Sequence, residues 1–270
     1  MSNDSTKKTI IVALGVCLVC SVLVASATVA LRGRQLQNKK LDKIKNILQA
    51  GNLLDEQKKN DTDYIMDLYN KQVRPAIIDL KSGDIIPESE YTDKLNPEKF
   101  DIKAMSDSPE YGERIAGDLD IASIKKMPRV MAIYMVLNNE QIEQFILPVY
   151  GYGLWSTMYG FLALNRDLTT IGGITFYEHG ETPGLGGEID NPLWKALWQG
   201  KKAFDENNTV KITVIKGKVD TLEPGAEYQV DGLSGATLTT RGVDYLVKFW
   251  LGENGYGAFL AKQREVLKNE

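Results

Sequence analysis

From residue 9 to residue 31 the chain carries no charged side chain, opening with Thr9-Ile10-Ile11-Val12 and closing with Thr28-Val29-Ala30-Leu31. As a helix rising about 1.5 Å per residue, this run reaches about 34 Å, enough to cross a hydrocarbon core about 30 Å thick. It predicts one membrane-spanning helix, residues 9–31, behind a polar tail, residues 1–8. Apolar positions then thin to Leu36, Leu41, Ile44, Ile47 and Leu48 among lysines and asparagines, the spacing of an amphipathic helix, with Gly51 as its breaker. Residues 55–125 are polar, mixed in charge and broken by Pro75, Pro87, Pro97 and Pro109. They read as loops with short helices and strands elaborating the outside of a core, and the region 32–124 is set apart on that basis. From Arg129 the pattern changes to short runs of branched and aromatic residues at 130–137, 144–151, 158–164 and 171–178, the mark of strands in a mostly antiparallel sheet. Asn191 and Pro192 then form the N-cap and first turn of a helix. Strands follow at 210–216 and 227–230, and a helix at 243–251 has Thr239 or Thr240 as its N-cap, with one more helix closing the chain. Strands with helices segregated between and after them make residues 125–270 an α+β domain.

Composition narrows the function classes. With 270 residues and 43% apolar content the chain can bury a substantial core, and 32 basic against 36 acidic residues leave no global basic footprint for nucleic acid. The apolar run has a second reading as a cleaved export signal, with Lys7 and Lys8 before it and Ala25-Ser26-Ala27 near its end; its length favours a retained anchor in contact with lipid. Arg32, Arg34, Lys39 and Lys40 follow the span closely, so flanking charge alone does not fix its orientation. Both cysteines, Cys17 and Cys20, lie inside the run, and His179 is the only histidine. The rest of the chain therefore has no disulfide framework, cysteine-ligated metal, cysteine nucleophile or multi-histidine metal site. It also offers no convincing set of catalytic acid, base and nucleophile.

Three stretches stand out by composition. The first is Asp231-Gly232-Leu233-Ser234-Gly235-Ala236-Thr237, whose small residues let a large planar or phosphorylated group approach the backbone just ahead of a helix, where unpaired N–H groups suit a phosphate. The second, Gly153-Leu154-Trp155-Ser156-Thr157, sets an indole on a glycine-flexed turn beside two hydroxyls. The third, Glu178-His179-Gly180-Glu181-Thr182-Pro183-Gly184-Leu185-Gly186-Gly187-Glu188, is an irregular glycine-rich loop. Each has a plainer reading: Ser and Thr as turn and cap residues, His179 as a packing or surface histidine, and Glu178, Glu181 and Glu188 as solvated loop carboxylates.

Taken together in this order behind one N-terminal span, the three stretches resemble the flavin-binding domain of the C subunits of sodium-translocating NADH:quinone reductases. The resemblance rests on Ser234-Gly235-Ala236-Thr237 with Asp231 before it, Gly153-Leu154-Trp155-Ser156, and Glu181-Thr182-Pro183-Gly184-Leu185-Gly186-Gly187. It implies FMN attached through its phosphate to Thr237 by a separate flavin transferase, with Asp231 serving recognition or the turn. Leu154, Trp155, Ser156 and Thr157, and Glu181, Thr182, Gly184, Leu185 and Gly186, would border the flavin, with Ser234, Gly235 and Ala236 leaving room at the acceptor. It further implies an electron relay within a membrane redox complex, partnered by its other subunits, in a bacterial inner membrane with the soluble domain periplasmic. The chain alone would not oxidise NADH, since no Gly-x-Gly-x-x-Gly fingerprint opens a helix after a strand. Two alternatives stand beside this: the G subunit of the Rnf ferredoxin:NAD oxidoreductase, and a non-redox membrane-anchored scaffold or solute-binding domain.

Overall fold

The computed structural model describes residues 5–54 and 61–268; the first four residues of the predicted tail, residues 55–60 of the polar segment and the last two residues of the final domain lie outside them. The chain divides into two units, Met1–Lys43 and Ile44–Glu270. One helix, α1 (Thr6–Ala50), makes up the first unit from Thr6 onward and opens the second. The tail is thus helical from Thr6, and the two helices predicted in succession are one. Within the first unit the apolar side chains from Ile10 to Leu36 are exposed. The Ser21 hydroxyl donates to the Cys17 carbonyl at 2.6 Å and the Thr28 hydroxyl to the Val24 carbonyl at 2.8 Å, satisfying both inside the helix as a hydrocarbon setting demands. Among the described residues this helix alone is long and apolar enough to cross a membrane.

In the second unit α1 ends at Ala50, just before the expected breaker Gly51, and Ile44, Ile47 and Leu48 are buried, whereas Leu36 in the first unit is exposed. There follow α2 (Thr62–Gln72), β1 (Val73–Asp79), β2 (Ile85–Ile86), α3 (Ile102–Asp107), β3 (Gly112–Arg114), β4 (Lys126–Pro128) and β5 (Val130–Asn138). The chain continues through β6 (Gln141–Tyr152), β7 (Thr157–Asn165), β8 (Ile171–Glu178), α4 (Pro192–Ala196), β9 (Thr213–Val214), β10 (Gln229–Val230), α5 (Thr237–Leu251) and α6 (Gly257–Lys268). Six strands form one sheet in the order β2-β1-β5-β6-β7-β8, antiparallel throughout. With its flanking helices this is the α+β fold expected. β3 and β4 form a separate antiparallel pair, β9 and β10 a parallel one.

The fold corrects the reading of residues 55–125 as an outer elaboration. β1 pairs with β5 from Val73↔Val136 to Asp79↔Val130 and is an integral strand of the main sheet, so no break falls near residue 125. Pro75 disguised it, because proline lacks the N–H a central strand needs. β2 covers only Ile77 and Ile78, so Pro75 sits where β1 is still the sheet edge.

The long strands read as continuous apolar runs because both faces are covered. On one face the Phe145 ring meets Phe259 of α6 edge-on at 5.6 Å, Trp250 Nε1 of α5 donates to the Tyr150 carbonyl at 2.7 Å, and the Tyr256 hydroxyl donates to the Pro148 carbonyl at 2.6 Å. Opposite, Tyr134 meets Phe161 edge-on at 5.8 Å, and Thr175, the register partner of Phe161, donates to the Asn46 carbonyl of α1 at 3.1 Å. Each large apolar side chain fully buried here contributes about 1.5–3 kcal/mol. α5 is fixed further by Asp244, whose buried carboxylate accepts from the Thr213 hydroxyl at 2.8 Å, from Val214 N at 2.9 Å and from Lys248 Nζ at 2.8 Å.

Candidate functional site

The turn between β6 and β7 exposes two large side chains, Leu154 at 39% and Trp155 at 65%. Their backbones face the other way. Leu154 N donates to both Glu181 oxygens at 3.1 Å, Trp155 N to Oε1 at 2.9 Å and Ser156 N to Oε1 at 3.2 Å. The Thr239 hydroxyl of α5 donates to Oε2 at 2.5 Å. One carboxylate, only 4% exposed, therefore gathers donors from the hairpin turn and from the first turn of α5, while its own backbone belongs to the loop after β8. The expectation of a solvated Glu181 is corrected. A carboxylate is stable in this setting because three N–H groups and a hydroxyl replace water. Burial pushes its pKa up, but the Thr239 hydroxyl and the N–H groups of Trp155, Leu154 and Ser156 outweigh burial and hold it below the ordinary value. Glu178 pairs with Lys103 at 2.5 Å, and Glu188 accepts from Asn191 Nδ2 at 2.7 Å.

Close approach around Glu181 explains two glycines. A Cβ on Gly153 would lie 2.6 Å from Oε1, and one on Gly186 would lie 2.9 Å from Oε2 and collide with the Thr239 hydroxyl. The Thr182 carbonyl accepts from Leu185 N at 3.1 Å and Gly187 N at 2.9 Å, a tight turn that leaves Leu185 45% exposed. The Leu185 side chain reaches the acceptor box, since a Cβ on Gly235 would be 3.2 Å from its Cδ2. His179 is a clamp on this loop: its Nε2 lies 2.7 Å from Asp190 Oδ2, and its Nδ1 accepts from Glu181 N at 3.2 Å. Its bond to Asp190 raises its pKa despite partial burial.

At the box, α5 starts with Thr237 itself, and the N-cap is Ala236, whose side chain makes no capping bond. The expected caps are spent elsewhere: Thr239 on Glu181, and Thr240 accepting from Leu233 N at 3.1 Å. An uncapped helix start leaves N–H groups free for an outside acceptor. Thr237, Ser234 and Gly235 are exposed and Ala236 is buried. Asp231 is turn structure, its carboxylate accepting from Val219 N at 2.8 Å and its carbonyl from Trp194 Nε1 at 2.8 Å.

The structure thus brings the three stretches together and sorts their residues. Leu154, Trp155, Thr182, Gly184, Leu185, Ser234, Gly235 and Thr237 are exposed. Glu181 and Gly186 are buried, the Ser156 hydroxyl accepts from Gly180 N at 2.6 Å, and Thr157 is the register partner of Tyr152 in the hairpin. Two residues were missed. Leu238, 51% exposed beside Thr237, adds to the apolar rim, and Thr239 anchors Glu181. An apolar residue standing alone among the hydroxyls of Thr237, Thr239 and Thr240 was the available signal for Leu238.

An exposed hydroxyl at an uncapped helix start, with Leu238 beside it and Leu185 against the neighbouring Gly235, has the chemistry to receive a phosphate-bearing planar cofactor. Residues 153–252 match the family described as FMN-binding domain, and FMN is the cofactor of this fold. The full chain is 45% identical to the C subunit of the Na(+)-translocating NADH-quinone reductase of Pseudomonas aeruginosa, covering 98% of both chains. It is 43% identical to the C subunit of the Yersinia pestis enzyme, covering 99% of this chain and 97% of the relative. Among solved structures it is similar to NqrC of Shewanella oneidensis, with a TM-score of 0.74 and 30% identity, covering 85% of this chain and 99% of that one. The C subunit from Parabacteroides distasonis gives a TM-score of 0.63 and 25% identity over 85% and 96% of the chains. The chain belongs to the family of C subunits of sodium-translocating NADH-quinone reductases.

Proposed function

We propose that this chain is the FMN-bearing electron relay of a sodium-translocating NADH:quinone oxidoreductase, with the flavin esterified through its phosphate to Thr237. The observation that carries this reading is the position of Thr237: exposed, first in α5, behind an N-cap that makes no side-chain bond. The Thr237 hydroxyl would supply the ester oxygen, and the first-turn N–H groups of α5 would serve the phosphate. Leu154, Trp155, Leu185 and Leu238 supply apolar surface for the ring system and exclude water from it. Bound FMN supplies the electron-transfer chemistry; the protein holds it and sets its surroundings. Names of the relatives favour this complex over the Rnf alternative, and full-length similarity to redox subunits weighs against a scaffold.

On this reading α1 anchors the chain in the inner membrane by one pass in contact with lipid, the second unit is periplasmic, and the partners are the other subunits of the complex together with the flavin transferase that loads Thr237. The test is intact mass and visible spectrum after expression with a flavin transferase, then mapping of the modified peptide. A mass increase of one FMN phosphoester, located on Thr237 and absent from Thr237→Val, is expected. An unmodified chain beside a modified control substrate, or flavin retained covalently by Thr237→Val, overturns the assignment.

A further inference from the structure

We propose that Glu181 is the positioning residue of this site: its ionised carboxylate assembles the three loops before flavin is attached, and its charge holds the midpoint potential of the attached flavin down. The proposal rests on the reading of Thr237 as the flavin-bearing residue.

Two observations carry it. First, the bonds to Glu181 from Leu154, Trp155, Ser156 and Thr239 all come from the protein, so the arrangement needs no cofactor to complete it. Second, the N–H groups of Leu154 and Trp155 face the carboxylate while the side chains of the same residues are exposed. A ring held against those side chains would share the Leu154 and Trp155 peptides with a buried negative charge. Adding electrons beside such a charge is unfavourable, and burial of the Glu181 carboxylate, 4% exposed, weakens the screening of its charge. The surrounding N–H dipoles offset only part of it.

The geometry also offers a way to remove the charge and keep the assembly. In Glu181→Gln the amide oxygen can take the three backbone N–H groups, and the amide nitrogen can donate to the Thr239 hydroxyl, which accepts as readily as it donates. Thr239→Val does the converse, removing a donor and keeping the charge.

The experiment uses the full-length chain in detergent, made with and without flavin transferase, as wild type, Glu181→Gln, Glu181→Ala and Thr239→Val. In unloaded protein, hydrogen exchange read by mass spectrometry over residues 153–157 reports the assembly. Slow exchange is expected in wild type and Glu181→Gln, and exchange faster by about tenfold or more in Glu181→Ala. In loaded protein, redox titration should show a more positive midpoint for Glu181→Gln and no such rise for Thr239→Val. Fast exchange in unloaded wild type overturns the preassembly. An unchanged midpoint in Glu181→Gln, or an equal rise in Thr239→Val, overturns the role of charge in the potential; slow exchange in Glu181→Ala overturns the role of Glu181 in the assembly. Wild-type chain that stays protected yet takes no flavin refutes the Thr237 reading and the claim about potential with it, while the preassembly stands.

Discussion

Gly186 gives the most direct measure of how tightly the site is built. Its backbone does not adopt a positive φ, so alanine there meets no conformational penalty, and the effect is steric. The new Cβ would lie 2.9 Å from Glu181 Oε2 and 3.1 Å from Glu181 Cβ, besides striking the Thr239 hydroxyl. Overpacking of this kind costs about 1–3 kcal/mol, and loosening a hydrogen bond to a charged group a further 1.5–3, roughly. Against this, alanine restricts the unfolded chain and returns about 0.4–1 kcal/mol. A net loss of about 1.5–5.5 kcal/mol lowers the melting temperature of a domain this size by roughly 3–20 °C. The assay is thermal and urea unfolding of the full chain in detergent. Gly180→Ala serves as the control in the same loop, since its Cβ would sit at 3.4 Å from Ser156 in ordinary contact. Adding Thr239→Ala should relieve part of the cost of Gly186→Ala, a coupling visible in a double-mutant cycle. A Gly186→Ala protein melting with wild type, or costs that simply add, would refute the packing argument.

Other perturbations give distinct outcomes. Trp250→Phe leaves a void beside β6 and the Tyr150 carbonyl without its indole donor, and should cost about 2–4 kcal/mol by urea midpoint at unchanged slope. The folded-state pKa of His179 is raised by Asp190, so the stability from that ion pair is fully present below the ordinary histidine value and is lost as pH rises through the raised value. Wild type should accordingly lose more melting temperature between the acid and alkaline sides of that window than His179→Gln, and identical profiles would sink the idea. Lys103→Ala, by contrast, breaks an ion pair whose side chains are both about half exposed, and should change stability by less than about 1 kcal/mol, an effect that shrinks in added salt.

Local pattern disclosed what is locally determined. The apolar run, the strands from β5 to β8 and the Asn191 cap with Pro192 are legible because each depends on neighbouring residues: the cap closes on Leu193 N at 3.0 Å, two positions away. β1 was hidden because its proline is tolerated only by its place in the sheet, and that place depends on how far β2 extends. The start of α5 was displaced because Thr239 and Thr240, good caps by type, are drawn off by Glu181 and Leu233. Glu181 itself looked solvated because its donors lie 25 to 27 residues before it and 58 after it. No periodicity or propensity carries information across such separations.

This division bears on how the proposed site does its work. A cofactor tethered at one atom is retained whatever its affinity, since the tether keeps its local concentration high. Retention alone leaves the ring free to swing, and electron transfer requires it to be held. The three loops bordering Thr237 are irregular and would be mobile if each stood alone. Glu181 removes that freedom by binding the hairpin turn and α5 to the loop after β8, so apolar Leu154, Trp155 and Leu185 are presented from a fixed frame. Tether and frame meet different demands, which accounts for a large buried investment in one carboxylate that need not touch the cofactor.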